Sequence, residues 1–412
     1  MKYISPSLLA IAAFAAAPCA QALSVKDDDV KLGLNIVIQA RAEISDAKSN
    51  AGVDYSTVDG TAFVDDADFY IRRARFGMKG TWKDDYTFAL IMRADGAGKA
   101  NATQTMNFYE ATVGRKFKSE GSDLAHAIEF GYMAPTFNTA SNVHSSSGFL
   151  LANEASTAFV MTNRNAGIKY HLSAPWVNFY ADIMNNSGDD ASSASALSSG
   201  SGGTPKDGEG LWTSARIHIS PEGEWKMDKP TESWAGKEGK GVLIGLDIAR
   251  NEKDNIPAAA VATPNLAPNV DPVTSADTLG YGVDLVLHYD GLSFLAEYRV
   301  AETETTVGTA TVVTTETKAE AWRVQAGYAF PMGDTFVEPA VRISSYDAND
   351  KATSTSSFGT NDSGASGDQI ELGLNWYLHE HKNKLQLAYT MWEAESGNAD
   401  ASIIRAQWQL SF

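Results

Sequence analysis

The feature that most constrains this chain is a strict alternation of apolar and polar residues that continues beyond the length of an ordinary strand. Leu32, Leu34 and Ile36 begin one such run, which continues to Ile44 with mostly polar residues between. Successive strand side chains point to opposite faces, so the run has one apolar and one polar face. Strands of globular proteins have about 5–6 residues, whereas a tilted membrane-spanning strand needs about 9–11. The length of the run therefore favours a strand that crosses a membrane.

The same alternation recurs to the end of the chain, where Ile404, Ala406, Trp408, Leu410 and Phe412 share one face. The predicted strands are sixteen: 31–44, 69–82, 86–95, 105–117, 125–134, 162–172, 176–185, 211–220, 241–250, 278–290, 292–301, 318–330, 335–346, 367–378, 384–394 and 401–412. An even number of strands places both chain termini on the same side of the membrane, as bacterial barrels require. A count of eighteen stays open, because the turn at 221–240 is unusually long.

Short and long connections alternate between these strands. The brief turns are 83–85, 173–175, 290–291, 331–334 and 379–383, and the long polar segments are 45–68, 135–161, 186–210, 251–277, 302–317 and 347–366. Short turns on one side and long loops on the other are typical of outer-membrane barrels. The sequence therefore predicts an all-β, transmembrane antiparallel β-barrel over residues 23–412, with short periplasmic turns and long extracellular loops.

The N-terminal segment has the pattern of a secretory signal. Lys2 precedes an apolar stretch over residues 7–17, and Ala20-Gln21-Ala22 fits a small-x-small cleavage site. We expect a signal peptide at 1–22, which would remove Cys19, the only cysteine. No later apolar run reaches the roughly 18 residues of a spanning helix. These features place the chain in the outer membrane of a Gram-negative bacterium.

Charge excludes one class of partner and predicts a wet interior. The formal net charge of −18 argues against nucleic acid, which requires a basic face. A barrel of sixteen strands leaves an aqueous channel, and charged residues with inward phase are expected to line it. The predicted pore-lining residues are Arg41, Arg73, Arg75, Lys79, Arg93, Arg115, Lys169, Arg216, Arg299, Arg323, Arg342, Arg405, Glu110, Glu129, Asp182 and Asp284. With the other inward carboxylates the two signs nearly balance, so the preference between cations and anions stays open.

One long connection is unlike the others. Residues 135–161 contain only Glu154 and His144 as ionisable groups and carry Phe137, Phe149 and Phe159. Such a segment is too apolar for a loop surrounded by water. It is predicted to fold into the lumen and to narrow it as a constriction loop.

Two motifs carry a family resemblance. The segment from Phe69 to Gly80, FYIRRARFGMKG, and the segment from Gly131 to Phe137, GYMAPTF, resemble motifs of the phosphate-selective porin O and P family. The resemblance implies a sixteen-stranded homotrimer in which Arg73, Arg75 and Lys79 guide anions such as phosphate. The chain departs from the family pattern at Met133 and Ala134, where the family often has a basic residue.

Partners follow from the same reading. The terminal Phe412 resembles the end signal recognised by the barrel-assembly machinery, and the outer face is expected to meet lipid and lipopolysaccharide. The function predicted is passive diffusion of small ions and hydrophilic solutes. The alternative is a barrel with a structural, adhesive or enzymatic role and no open channel. No cofactor, metal or catalytic residue is predicted, and His379-Glu380-His381 is interpreted as a solvated turn.

Overall fold

The structure is a computed structural model that describes the strands and short turns of the chain. The described residues are 24–26, 29–47, 67–98, 106–118, 121–137, 164–185, 210–253, 273–308, 312–347, 366–394 and 401–412. The predicted signal peptide and most of the long loops lie outside these ranges. Within them, no helix is both long and apolar enough to cross a membrane.

Sixteen antiparallel strands form one closed sheet. They are β1 (Val30–Ala47), β2 (Ala67–Trp82), β3 (Tyr86–Arg93), β4 (Asn107–Lys118), β5 (Ala125–Met133), β6 (Asn165–Ser173), β7 (Val177–Asn185), β8 (Leu211–Ile219), β9 (Lys240–Lys253), β10 (Val273–Tyr289), β11 (Leu292–Gly308), β12 (Val312–Tyr328), β13 (Thr335–Asp347), β14 (Gly367–His379), β15 (Asn383–Ala394) and β16 (Ala401–Ser411). Each strand pairs with the next, and β16 pairs with β1 through Arg405 opposite Glu43. The predicted barrel is confirmed.

The two faces of this sheet have opposite chemistry, as the alternation predicts. On β5 and β6 the outward residues Ile128, Phe130 and Ile168 are exposed, whereas on β8 the inward Arg216 is fully buried. Exposed aromatic side chains cluster near the short turns, for example Trp82 and Tyr86, whose rings lie 5.2 Å apart. Amphipathic rings prefer the headgroup zone of a bilayer. The outer surface is therefore an apolar band with an aromatic girdle.

The short turns use residues suited to tight hairpins. Between β10 and β11 the connection is Asp290-Gly291, with φ values of 42° and 91°. Positive φ at both central residues gives a turn whose twist matches that of the flanking strands, and Asp-Gly is a favoured pair for it. Such turns fix the register of the strands that they join.

Three strands extend further than predicted. Residues 302–317 were expected to form a loop, but β11 continues to Gly308 and β12 begins at Val312. The prediction is wrong because these extensions are rich in Thr and Glu and show no apolar alternation. Likewise β10 begins at Val273 rather than at 278. Two three-residue strands, Ser24–Lys26 and Phe330–Met332, pair with β1 and β13 at the end of the barrel that carries the short turns.

One connection at the end with the short turns folds inside the barrel. Residues 221–239, which we call the strap, join β8 to β9 and contain a single helical turn at Gly223–Trp225. Met227 of the strap packs on the inward residues Leu243, Val286 and Leu295. His381 Nε2 donates to the Ser233 carbonyl oxygen over 2.8 Å. The interpretation of 379–383 as a solvated turn is therefore wrong for His381, which holds the strap.

Candidate functional site: the inner wall of the barrel

The structure places the predicted pore-lining residues on the inner face of the sheet with one exception. Arg41, Arg73, Arg75, Lys79, Arg93, Lys169, Arg216, Arg299, Arg323, Arg342, Arg405, Glu110, Glu129, Asp182 and Asp284 share the parity of the buried, polar positions of their strands. They divide into two groups with different surroundings. Those on β2 to β6 are partly exposed except for the buried Arg75, whereas Arg41 on β1, Asp182 on β7 and those on β8 to β16 are buried.

Arg115 is the exception, and the prediction that it faces inward is wrong. It shares a face with Val113 and Phe117, which are 61% and 38% exposed, and its guanidinium lies 5.2 Å from the Tyr86 ring centroid. Glu110 faces inward opposite Ile91, and Arg115 follows it in the same regular stretch of β4 at an odd number of residues. Side chains at such a separation point to opposite faces of a strand, so the two residues cannot both face inward. Lys116 takes the inward position instead.

Four arginines form what we call the arginine cluster: Arg73, Arg75, Arg93 and Arg164. Its centre is Tyr109, whose ring centroid lies 3.9 Å from Arg75 Cζ and 3.5 Å from Arg164 Cζ. A guanidinium that stacks on a ring keeps its N–H groups directed outward in its own plane. Arg75 donates to Asp95 at 2.7 Å, and Arg73 donates to Gln39 at 3.4 Å. The cluster thus presents several donors on one side of the lumen.

Positive charge is in excess within this cluster. Arg75 and Arg93 are directly opposite in the register of β2 and β3, a placement that is destabilising for like charges. Asp95 is bound to Arg75 through two of its guanidinium nitrogens. The nearby Glu110 is held by Lys79, with Nζ–Oε distances of 2.8 and 2.9 Å. Both carboxylates are thus engaged, and Arg93 and Arg164 form no ion pair with a side chain in the described ranges.

The opposite wall contains a closed ion-pair network. Arg216 contacts Asp247 and also Asp284, the latter at 2.7 Å. Arg299 contacts Asp247 at 2.6 Å and Glu297, and Arg323 contacts Glu297 at 2.8 Å. Further along, Arg342 and Arg405 pair with Glu371 and Glu43. Each guanidinium of this wall is paired with at least one carboxylate, so the charges are compensated within the wall.

The start of the predicted constriction loop is anchored inside the barrel. Thr136 donates from its backbone N to Asp182 at 2.6 Å and from Oγ1 at 3.2 Å. Phe137 is buried and meets Trp212 edge to face, with ring centroids 5.7 Å apart. Gly280 lies beneath Phe137, where a Cβ would approach the ring to 3.0 Å. Residues 134–137 thus turn inward, and the rest of 135–161 lies outside the described residues.

Two residues of the inner face were not predicted from the sequence. Tyr109 and Arg164 are central to the arginine cluster but were not among the predicted pore-lining residues. Tyr109 lies at the bulge of β4, and Arg164 lies just before β6, so neither has a phase that alternation assigns. A signal was present in the composition, because an aromatic residue directly precedes the inward Glu110.

The fold and this wall define the chain as a channel-forming outer-membrane porin. A closed sixteen-stranded barrel with an apolar outer band and a charged inner face is the architecture of that class. The chain belongs to the phosphate-selective porin O and P family, whose model matches residues 46–412. The family resemblance seen in the sequence is confirmed, while no curated protein matches the chain.

Solved structures of other porins share the fold at low sequence identity. OmpF of Salmonella typhi, in complex with daunomycin, is 14% identical, with 94% of this chain and 100% of that chain covered and a TM-score of 0.53. The outer-membrane channel DcaP of Acinetobacter baumannii is 11% identical, with 94% and 99% covered and a TM-score of 0.53. An anion-selective porin from Comamonas acidovorans is 10% identical, with 93% and 100% covered and a TM-score of 0.50.

Proposed function

We propose that this porin conducts small anions in preference to cations and that the arginine cluster is the place where anions are selected. The observation that carries the proposal is the register of Arg75 opposite Arg93, with Arg75 and Arg164 both stacked on Tyr109. Like charges that face one another cost stability. An anion between them would neutralise the repulsion, so the arrangement is suited to transient anion binding.

Phosphate is the proposed ligand class within that preference. Guanidinium groups present planar pairs of donors that match the oxygens of phosphate. Arg93 forms no ion pair with any side chain in the described ranges, and Arg164 Nε is buried there without a hydrogen-bond partner. These unused donors support binding of a multiply charged oxyanion. A chloride ion would use the same positive field with fewer hydrogen bonds.

Phosphate titration of the chloride current tests the proposal. Purified channels in a planar bilayer are bathed in KCl, and phosphate is added while the single-channel current is recorded. We expect partial block in the wild type and a block constant about 10- to 100-fold weaker in Arg93→Gln and Arg164→Gln, because a hydrogen bond to a charged group contributes about 1.5–3 kcal/mol net.

The matched control is Arg250→Gln. Arg250 lies on the outward face of β9 and pairs with Asp277 at 2.6 Å and Glu252 at 2.7 Å. The substitution therefore removes the same charge as the cluster variants, but outside the lumen. Equal block in the wild type and all three variants would contradict the proposal. A reversal potential that favours cations would support the alternative left open by the sequence, in which acidic loop residues dominate the selectivity of a chain with a net charge of −18.

The constriction loop is proposed to be the segment 135–161. The inward anchoring of Thr136 on Asp182 and of Phe137 on Trp212 supports this assignment. Lys169 Nζ adds a hydrogen bond to the Ala134 carbonyl oxygen at 2.9 Å. We propose that this almost uncharged segment, which begins inside the lumen, narrows the channel.

Assembly and location complete the proposal. Residues 1–22 are proposed to be cleaved as a signal peptide, and 23–412 to form the mature porin, without catalytic activity. Phe412 pairs with Ile36 by two backbone hydrogen bonds of 2.9 and 3.3 Å at the closing seam of the barrel. This position suits a role as the signal for the barrel-assembly machinery. A homotrimer surrounded by lipid and lipopolysaccharide is proposed from family membership.

A further inference from the structure

The strap is fixed to the inside of the barrel by an apolar anchor. Met227 and Trp234 pack on Leu243, Val286 and Leu295, three inward residues that are fully buried. The Trp234 ring stacks on that of His288, with centroids 4.7 Å apart and an interplanar angle of 17°. An inward apolar patch would be unfavourable beside a water-filled lumen. The strap removes this patch from water and gains the corresponding hydrophobic free energy.

Polar contacts continue the attachment along the wall. Thr231 meets His288 at 3.2 Å, and Glu232 meets Arg323 at 3.5 Å. Ser233 is nearly fully buried and donates to Glu338 at 3.1 Å, while Tyr377 Oη lies 3.2 Å from Ser233 Oγ. Each of the six consecutive strands from β9 to β14 therefore contributes at least one contact. The strap follows more than a third of the barrel circumference.

These contacts lie towards the same end of the barrel. His288 precedes the turn after β10, and Glu338 lies three residues after the start of β13. Tyr377 is two residues before the end of β14. Each position is at the end that carries the short turns, which is the periplasmic end. The strap therefore occupies the periplasmic part of the lumen on the side of β9 to β14.

The free edge of the strap faces the other side of the lumen. Asp228 and Lys229 are exposed. Asp228 pairs with Lys226 at 3.3 Å, whereas Met227 between them is buried against the wall.

We infer that the strap is a partition that confines solute exit to the β1–β7 side of the barrel. The anchoring by both an apolar patch and several hydrogen bonds holds the strap against the wall at neutral pH.

Replacement of residues 221–239 by a two-residue Asp-Gly turn tests the partition. We expect single-channel conductance to rise by roughly 1.5- to 3-fold, because conductance follows the free cross-section of the pore. The point variant Trp234→Ala, which removes the inner anchor, is expected to raise conductance or current noise. Trp225→Ala is the matched control, since Trp225 lies on the rim and stacks on Tyr289. Wild-type conductance in the folded deletion variant would overturn the inference.

Cysteine modification tests whether the strap borders the exit path. Cys19, the only cysteine of the chain, lies in the proposed signal peptide, so Lys229→Cys gives the mature chain one reactive thiol. A bulky thiol reagent added on the periplasmic side is expected to lower the current of Lys229→Cys channels, because Lys229 is exposed on the strap. Lys237→Cys is the control, because Lys237 is exposed and pairs with Glu380 at 3.0 Å. Unchanged current after complete labelling at position 229 would contradict a strap that borders the exit path.

The two inferences have separate readouts. Conductance and its change on labelling report the strap, whereas reversal potential and phosphate block report the arginine cluster. A channel that selects cations but widens on strap deletion would contradict the anion proposal alone.

Discussion

Arg75 and Arg93 face each other across the β2–β3 pair, and Arg75 also stacks 3.9 Å from the centre of Tyr109. We expect Arg93→Gln to leave the barrel as stable or to stabilise it by about 0.2–1 kcal/mol, because like charges directly opposite on neighbouring strands repel. The same variant should lose anion preference. Denaturant-induced unfolding in detergent measures the first effect, and reversal potential measures the second. Destabilisation comparable to that of a buried ion-pair loss would show that Arg93 is structural.

Removal of the Asp247 carboxylate should, unlike removal of the Arg93 charge, destabilise the barrel. It pairs with both Arg216 and Arg299 in the closed network. Asp247→Asn leaves two buried guanidinium groups poorly compensated, which costs about 3–5 kcal/mol. We expect a lower unfolding midpoint and a smaller yield of folded barrel, measured by heat-modifiable migration on gels. Arg250→Gln, which breaks an exposed pair, should change stability by less than about 1 kcal/mol. Equal effects of the two variants would contradict the distinction between the walls.

The alternation of residues could predict much of this architecture, because one face of each strand meets lipid and the other meets a polar lumen. Ile404 and Arg216 are placed correctly by parity alone. Parity fails where the backbone is irregular, as at the β4 bulge, which brings Tyr109 into the arginine cluster. It also fails for β11 and β12, whose Thr-rich ends are polar on both faces.

The strap and the anchor of the constriction loop were beyond sequence reasoning for a different reason. Ser233 meets Glu338 and Tyr377, which are separated from it by more than a hundred residues. Such contacts depend on closure of the barrel, and the local alternation of apolar and polar residues does not predict them. The unusual length of the turn at 221–240 was the only local sign.

Release of the constriction loop is the third prediction. Asp182 accepts hydrogen bonds from the backbone N of Thr136 and from Ser214 Oγ, at 2.6 and 2.8 Å. Asp182→Ala should free residues 134–137 from the wall, and we expect larger and noisier single-channel currents. Ser214→Ala, which removes a single partner, serves as the milder comparison. A quiet, wild-type current from Asp182→Ala would show that the loop is held elsewhere.

Acid should loosen the strap at His381. Burial, followed by the nearby Lys384, lowers the pKa of His381 to about 3. Lys237 and His288 also face it, and Glu380 pairs with Lys237. The folded pKa lies below the unfolded value of about 6.5, so the neutral imidazole favours docking above pH 6.5. That contribution is lost progressively as the pH falls from about 6.5 towards 3.

The measurable consequence is a rise of conductance or noise between about pH 6 and pH 4. His381→Gln should reduce this pH dependence, because an amide does not titrate in that range. The strap deletion should remove it. Identical pH profiles of the wild type and His381→Gln would assign the effect to other groups.

The central claim is anion selection by the arginine cluster, and the reversal potential across a planar bilayer under a KCl gradient tests it most directly. The account predicts the sign of an anion-selective channel in the wild type and a shift towards zero in Arg93→Gln and Arg164→Gln, with Arg250→Gln unchanged. A cation-selective sign in the wild type, unaffected by substitution in the cluster, would contradict it.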